Sequence, residues 1–320
     1  MTSRPLRFIL LIPFTLSVLS ADVTVHYKTE IKMNMSLPGM PDPTKTLGAA
    51  LPHDMTLIEK DGKALSAINP GLTAITDFNT KQVVLLDAAG KRFAKMDADK
   101  LGEAMSKAVP QMPANVAGLL SSMKMNVGAP KPTGRTETIQ GVEADEQEME
   151  LTVEGAALPG MPPGPMVREV IQFWLAKQTE VLRVPAIREL TGYALWSVVT
   201  TNPAGQMEAV LKQMPGMADA VNAMRQPMQS GVMLRMHMAI YVPLLAQLMG
   251  QTKGANGAAA GLDPNAPLMQ MNQEVTELSS APIAASQFEI PAGFQEAAAA
   301  DIINAMMPAM PAPATSLTAH

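Results

Sequence analysis

The sequence predicts an α+β fold: a curved antiparallel sheet, an incomplete barrel, packed on helices, with a helical insertion and long Pro/Gly-rich loops. Three observations carry this expectation. "DVTVHYKTEIKMNM" (22–35) alternates along its whole length, with Val23, Val25, Tyr27, Ile31, Met33 and Met35 on one side and polar residues on the other. That is the period of a long, half-buried antiparallel strand. Short apolar runs then succeed one another from 54 to 96 with turn residues between them, the pattern of a meander of hairpins. Further on, Met207, Val210, Leu211, Met214, Met217, Val221, Met224 and Met228 recur at helical spacing, interrupted by Pro215–Gly216.

In chain order, Arg4 and Arg7 precede the apolar stretch "FILLIPFTLSVL" (8–19) and the small residues Ser20 and Ala21. This is the layout of an export signal over 1–21, cleaved after Ser20 or Ala21. Strands are predicted at 54–60, 63–69, 72–78, 82–87 and 91–96, with "DG" at 61–62 as the first turn. A helix over 97–109 begins at Asp97, and a second helical piece covers about 113–123. Strands resume near 123–127, 133–140, 142–153 and 167–176, with a further strand at about 179–184. The helical insertion spans about 185–229. A strand over 231–243 follows, then a short helix near 243–250, and strands at about 268–280 and 286–290. One domain is expected over 22–294. The Ala/Pro-rich tail 295–320 is expected to be partly disordered.

Composition narrows the function classes. The 320 residues include no cysteine, so thiol chemistry and disulfides are excluded. The formal net charge is −5 and becomes two units more negative if Arg4 and Arg7 leave with the signal. No basic run remains, which argues against a nucleic-acid partner. After the signal, no stretch is apolar for the roughly 20 residues a membrane span needs. The chain carries 27 Met against 7 Phe, 3 Tyr and 2 Trp, and unbranched thioethers make an adaptable apolar surface.

No catalytic residue is predicted. GxSxG, HExxH and GxxxxGK[ST] are all missing from the sequence. The carboxylates at 143, 145, 146, 148 and 150 fit a solvated strand face better than an acid–base pair. "GVMLRMHMAIYVP" (231–243) invites a copper(I) reading, but strand period turns His237 away from Met236 and Met238. A soft-metal site needs its ligands to converge. The predicted site is therefore an apolar ligand groove lined by Met33, Met35, Leu234, Met236, Met238 and Ile240, with no metal and no cofactor.

Two short stretches carry a resemblance. "TGRTETIQGVEAD" (133–145) resembles the "TG-x-T-x-T-I-x-G" turn and strand of a group of uncharacterised bacterial secreted proteins. "SQFEIPAGF" (286–294) resembles their closing "F-E-V-P-A-G-[YF]" strand. That group is similar to the periplasmic lipoprotein-carrier (LolA-like) fold, an incomplete barrel around helices with an apolar cavity. The resemblance implies an exported, non-enzymatic protein that binds or carries an acyl chain or another apolar small molecule. A methionine-based copper(I) binder and a structural envelope protein are the alternatives.

Overall fold

The computed structural model describes residues 22–34, 53–69, 71–108, 124–155, 164–201, 231–244 and 265–306, with isolated positions 223, 246 and 263. The export signal, Met35, the helical reading of 113–123 and the methionine stripe at 207–228 lie outside the described residues.

Thirteen strands form one open sheet. They are β1 (Val23–Met33), β2 (Asp54–Lys60), β3 (Lys63–Asn69), β4 (Leu72–Asp77), β5 (Gln82–Asp87), β6 (Arg92–Asp97), β7 (Lys124–Val127), β8 (Lys131–Ile139), β9 (Val142–Glu154), β10 (Val167–Ala176), β11 (Met233–Tyr241), β12 (Met269–Ser279) and β13 (Gln295–Glu296). Their order is β13-β6-β5-β4-β3-β2-β1-β12-β11-β10-β9-β7, and β8 also pairs with β9. Among the described strands every pairing is antiparallel except the short β13–β6 contact.

Local chemistry explains the hairpins. Lys60 pairs with Lys63 around Asp61–Gly62, and Ile139 pairs with Val142 around Gln140–Gly141. Both loop residues have positive φ in each case (50° and 74°; 50° and 77°). This is the primed two-residue turn whose twist matches the flanking strands, and glycine adopts its second position without strain. The two longer turns each begin at an aspartate. Asp77 Oδ1 accepts from the backbone N–H of Asn79 and Thr80, and Asp87 Oδ1 accepts from that of Gly90.

Four helices complete the described fold: α1 (Leu101–Ala108), α2 (Gln178–Arg183), α3 (Pro185–Thr201) and α4 (Ala299–Met306). The α+β expectation is therefore corrected: the protein is mainly β. One 13-stranded sheet takes in every described strand, whereas the described helices are few and, apart from α3, eight residues or shorter. Alternation and turn chemistry dominate the described residues.

Two local expectations are also corrected. Residues 179–184 belong mostly to α2 rather than to a strand. Val181 and Val184, three apart, pack on the core while Leu182 is 83% exposed, which is helical spacing. Glu180, buried, is held by Arg183 one turn later, and Arg183 also donates to the Gly141 carbonyl at 2.8 Å. Residues 286–290 are not a strand either. A 3-10 turn over Ala285–Phe288 lays the segment across the sheet, and Phe288 packs with Ile75 and Leu86.

The core lies where the sheet meets its helices. On the meander strands, Leu72, Val83, Leu85 and Ala94 pack with Leu101 of α1 and with Ile302 and Ile303 of α4. The start of the predicted tail is thus part of this core. A second cluster joins Val23, Val25, Leu57 and Ala64 from β1–β3 to Ile139, Ala144 and Trp174 from β8–β10, with Ala186, Ile187 and Leu190 of α3 between them. Strands far apart in sheet order meet the same helix, so the sheet curves around α3.

Candidate functional site

Cross-strand register places the methionines. Residues directly opposite one another in neighbouring strands project from the same face. One row reads Ile31, Met271, Met238, Ile171 and Met149 across β1, β12, β11, β10 and β9. The next reads Met33, Met269, Ile240, Glu169 and Leu151, and the row on the other side reads Thr29, Gln273, Met236, Phe173 and Gln147. Ile171, Phe173 and Met149 are buried, while Ile31, Met33, Met236, Met238, Met269 and Met271 are half-buried. The result is an apolar face rich in thioethers. Within it, burial raises the pKa of the Glu169 carboxyl above its ordinary value.

The reverse face is polar. Glu30, Asn272, His237, Gln172 and Glu148 form a row there. His237 Nδ1 lies 3.1 Å from Gln172 Oε1, and Gln172 Nε2 donates to Glu148 at 2.8 Å. Beside it, the Arg235 guanidinium lies 5.0 Å from the centre of the Trp174 ring and donates to Glu274 and Glu137. His237 therefore faces away from Met236 and Met238. Among the described residues, no three His, Asp or Glu side chains group as metal ligands would.

Of the predicted groove residues, Met33, Met236, Met238 and Ile240 share the apolar face. Met35 lies outside the described residues. Leu234, 1% exposed, belongs with Val232, Trp174 and Val275 in the α3 core, whereas Met236 and Met238 pack with Phe173, Ile171 and Leu175. A β-bulge explains the split. Arg235 pairs with Trp174 but Met233 pairs with Leu175, so Leu234 is an extra residue and simple alternation fails there.

Where α3 crosses the sheet there is a cavity of about 270 Å³. Tyr27, Met55, Leu57 and Ser66 line it from β1–β3, Leu190 and Tyr193 from α3, and Met233 and Gln273 from β11 and β12. Gln273 Nε2 donates to Thr29 at 3.3 Å and lies 3.7 Å from the Met55 sulfur. From Gln273 the same face continues through Met271 to Met269, about 13 Å at the rise of a strand. From Met233 it continues across the bulge to Met236 and Met238. Cavity and methionine rows are one continuous surface.

The cavity's ionisable neighbours are held neutral. Burial, with a smaller contribution from Tyr193, pushes the Tyr27 phenol up to about 12. Burial also raises Tyr193, opposed by its hydrogen bond with Ser66. Glu59 is two residues along β2 from Leu57 and only 7% exposed, and its Oε2 has no hydrogen-bond partner among the described residues. Burial, with Glu189 of α3 adding to it, pushes this carboxyl up to about 8. An acid whose folded pKa is raised destabilises the fold as pH climbs from its unfolded value towards 8, because the unfolded chain ionises first.

Sequence reasoning found the methionine face but missed Tyr27, Tyr193, Ser66, Gln273 and Glu59 as a group. Tyr27 and Tyr193 come together only because α3 packs across β1 and β2, a tertiary event without a local pattern. Among the described residues, no helix is long and apolar enough to cross a membrane.

No protein family model matches this chain, and no curated protein matches it. Among solved structures it is similar to one described as "Structure of PNGF-II in C2 space group", at 11% identity and a TM-score of 0.32. That alignment covers 88% of this chain but 32% of the other, so the chain spans about a third of the length of the structure it matches.

Proposed function

We propose that this is an exported, non-enzymatic protein that binds an acyl chain or another apolar ligand. One observation carries the reading. The cavity beneath α3 opens onto methionine rows on the same sheet face, giving a continuous apolar path from Gln273 and Met233 to Met269 and Met238. Thioether side chains suit such a path because they repack around a variable guest at small cost. The export signal in 1–21 and the carrier-like motifs at 133–145 and 286–294 support the same reading. In the structure, the first of these motifs is the β8–β9 hairpin and the second is the segment that crosses the sheet at Phe288.

Native mass spectrometry of the mature protein, purified from its own cell envelope, tests the proposal. The expected spectrum carries a lipid-sized adduct that organic extraction removes. A ligand-free mass, or a copper adduct in place of a lipid, would contradict it.

A further inference from the structure

The distribution of polarity around the cavity says what kind of head group such a ligand carries. At the cavity the apolar path turns polar. There the Tyr27 and Tyr193 phenols, the Ser66 hydroxyl and the Gln273 carboxamide line the cavity together with Leu57 and Leu190. These four groups donate and accept hydrogen bonds but carry no charge at neutral pH. The ionisable groups that act on them are acids: Glu59, which burial keeps neutral, acts on Tyr193, and Glu189 acts on Glu59.

Four cations of this half of the sheet are on the other side. Register puts Lys28, Lys32, Arg168 and Arg235 on the polar face, where Lys28 pairs with Glu30, Arg168 with Glu150, and Arg235 with Glu274 and Glu137. On α3, Arg188 is exposed and lies 3.5 Å from Glu189. None of the described lining residues is Lys, Arg or His. An anionic head placed beside Tyr27 and Tyr193 would lose its hydration and find no counter-ion among the described lining residues, which is unfavourable. A hydroxyl or ester head would find partners for each of its polar atoms.

Size points the same way. A volume of about 270 Å³ is slightly below the usual range for drug-sized ligands, roughly 300–1,000 Å³. It holds a small head and the first part of one chain, and the rest must lie along the methionine rows.

We propose that the ligand is a single-chain amphiphile with an uncharged, hydrogen-bonding head, such as a fatty alcohol or monoacylglycerol. The head sits against Tyr27, Tyr193, Ser66 and Gln273, and the chain runs along Met236, Met238, Met271 and Met269. The proposal rests on the apolar-ligand reading above and specifies its chemistry.

Displacement of an apolar fluorescent probe from the mature protein tests it, at pH 7.5 and below micelle-forming concentrations. Three twelve-carbon competitors are compared: monolauroylglycerol, laurate and dodecyltrimethylammonium. Monolauroylglycerol is expected to displace the probe at a concentration lower by about tenfold or more than either ion. Tyr27→Phe should weaken monolauroylglycerol by about fivefold and leave laurate unchanged, the size expected for one hydrogen bond. Ser66→Ala provides the same comparison if Tyr27→Phe fails to fold. Equal potency of all three competitors, or tighter binding of laurate, overturns the neutral head. Tighter binding of the ammonium overturns it in favour of a cation held by Glu59 and Glu189. Failure of every competitor to displace the probe instead contradicts the apolar-ligand reading itself.

Discussion

The meander half of the sheet and the long-strand half cover their faces with different side chains. Across β4–β6 the inward residues are Leu72, Ala74, Val83, Leu85 and Ala94, and none is more than 5% exposed. α1 and α4 close that face, and the segment carrying Phe288 closes the reverse one. Across β1, β12 and β11 the corresponding rows hold Ile31, Met33, Met236, Met238, Met269 and Met271, all half-buried. Compact aliphatic side chains with few rotamers favour one packing, whereas thioethers accept many. Both halves share pleat and pairing, so side-chain choice is what separates a scaffold from an adaptable wall.

The largest expected effect breaks the scaffold. Leu85 is fully buried between β4 and β6, and Leu85→Ala leaves a void there. It should cost about 3–4 kcal/mol in chemical denaturation while leaving apolar-probe affinity of the folded fraction unchanged. A loss of affinity without loss of stability would show that the halves are not divided as described.

A smaller effect is expected on the methionine half, and it separates two adjacent residues. Met238→Glu places a charge between Met271 and Ile171. It should destabilise the protein by about 2 kcal/mol and weaken probe binding. His237→Gln, one residue away on the polar row, should change stability by no more than about 0.5 kcal/mol and leave probe binding intact. Thermal melts and probe titrations read both. Equal damage from the two variants would mean that the faces are not distinct.

Much of this architecture is legible in the sequence, for physical reasons that also mark where legibility ends. The strands of the meander and the long strands β1, β9, β10 and β11 follow from two-residue alternation and from turns such as Asp61–Gly62. The methionine face follows from the same period. Over α2, "TEVLRV" satisfies a strand pattern if Leu182 and Val184 are paired, and only the packing of both Val181 and Val184 on the core decides for a helix. Leu234 departs from simple alternation because a bulge is set by the pairing of β11 with β10 and leaves no mark on β11 alone. The same holds for the polar end of the cavity, since Tyr27 and Tyr193 are 166 positions apart in the chain.

The central claim is that the methionine face, and not the meander core, receives the ligand. Methyl NMR of protein labelled at the methionine methyl carbons tests it most directly, because Met96, packed against the meander core, reports on the other half in the same spectrum. On titration with monolauroylglycerol, the resonances of Met233, Met236, Met238, Met269 and Met271 are predicted to shift and Met96 to stay in place. Shifts spread evenly over all of them, or largest at Met96, would contradict the account.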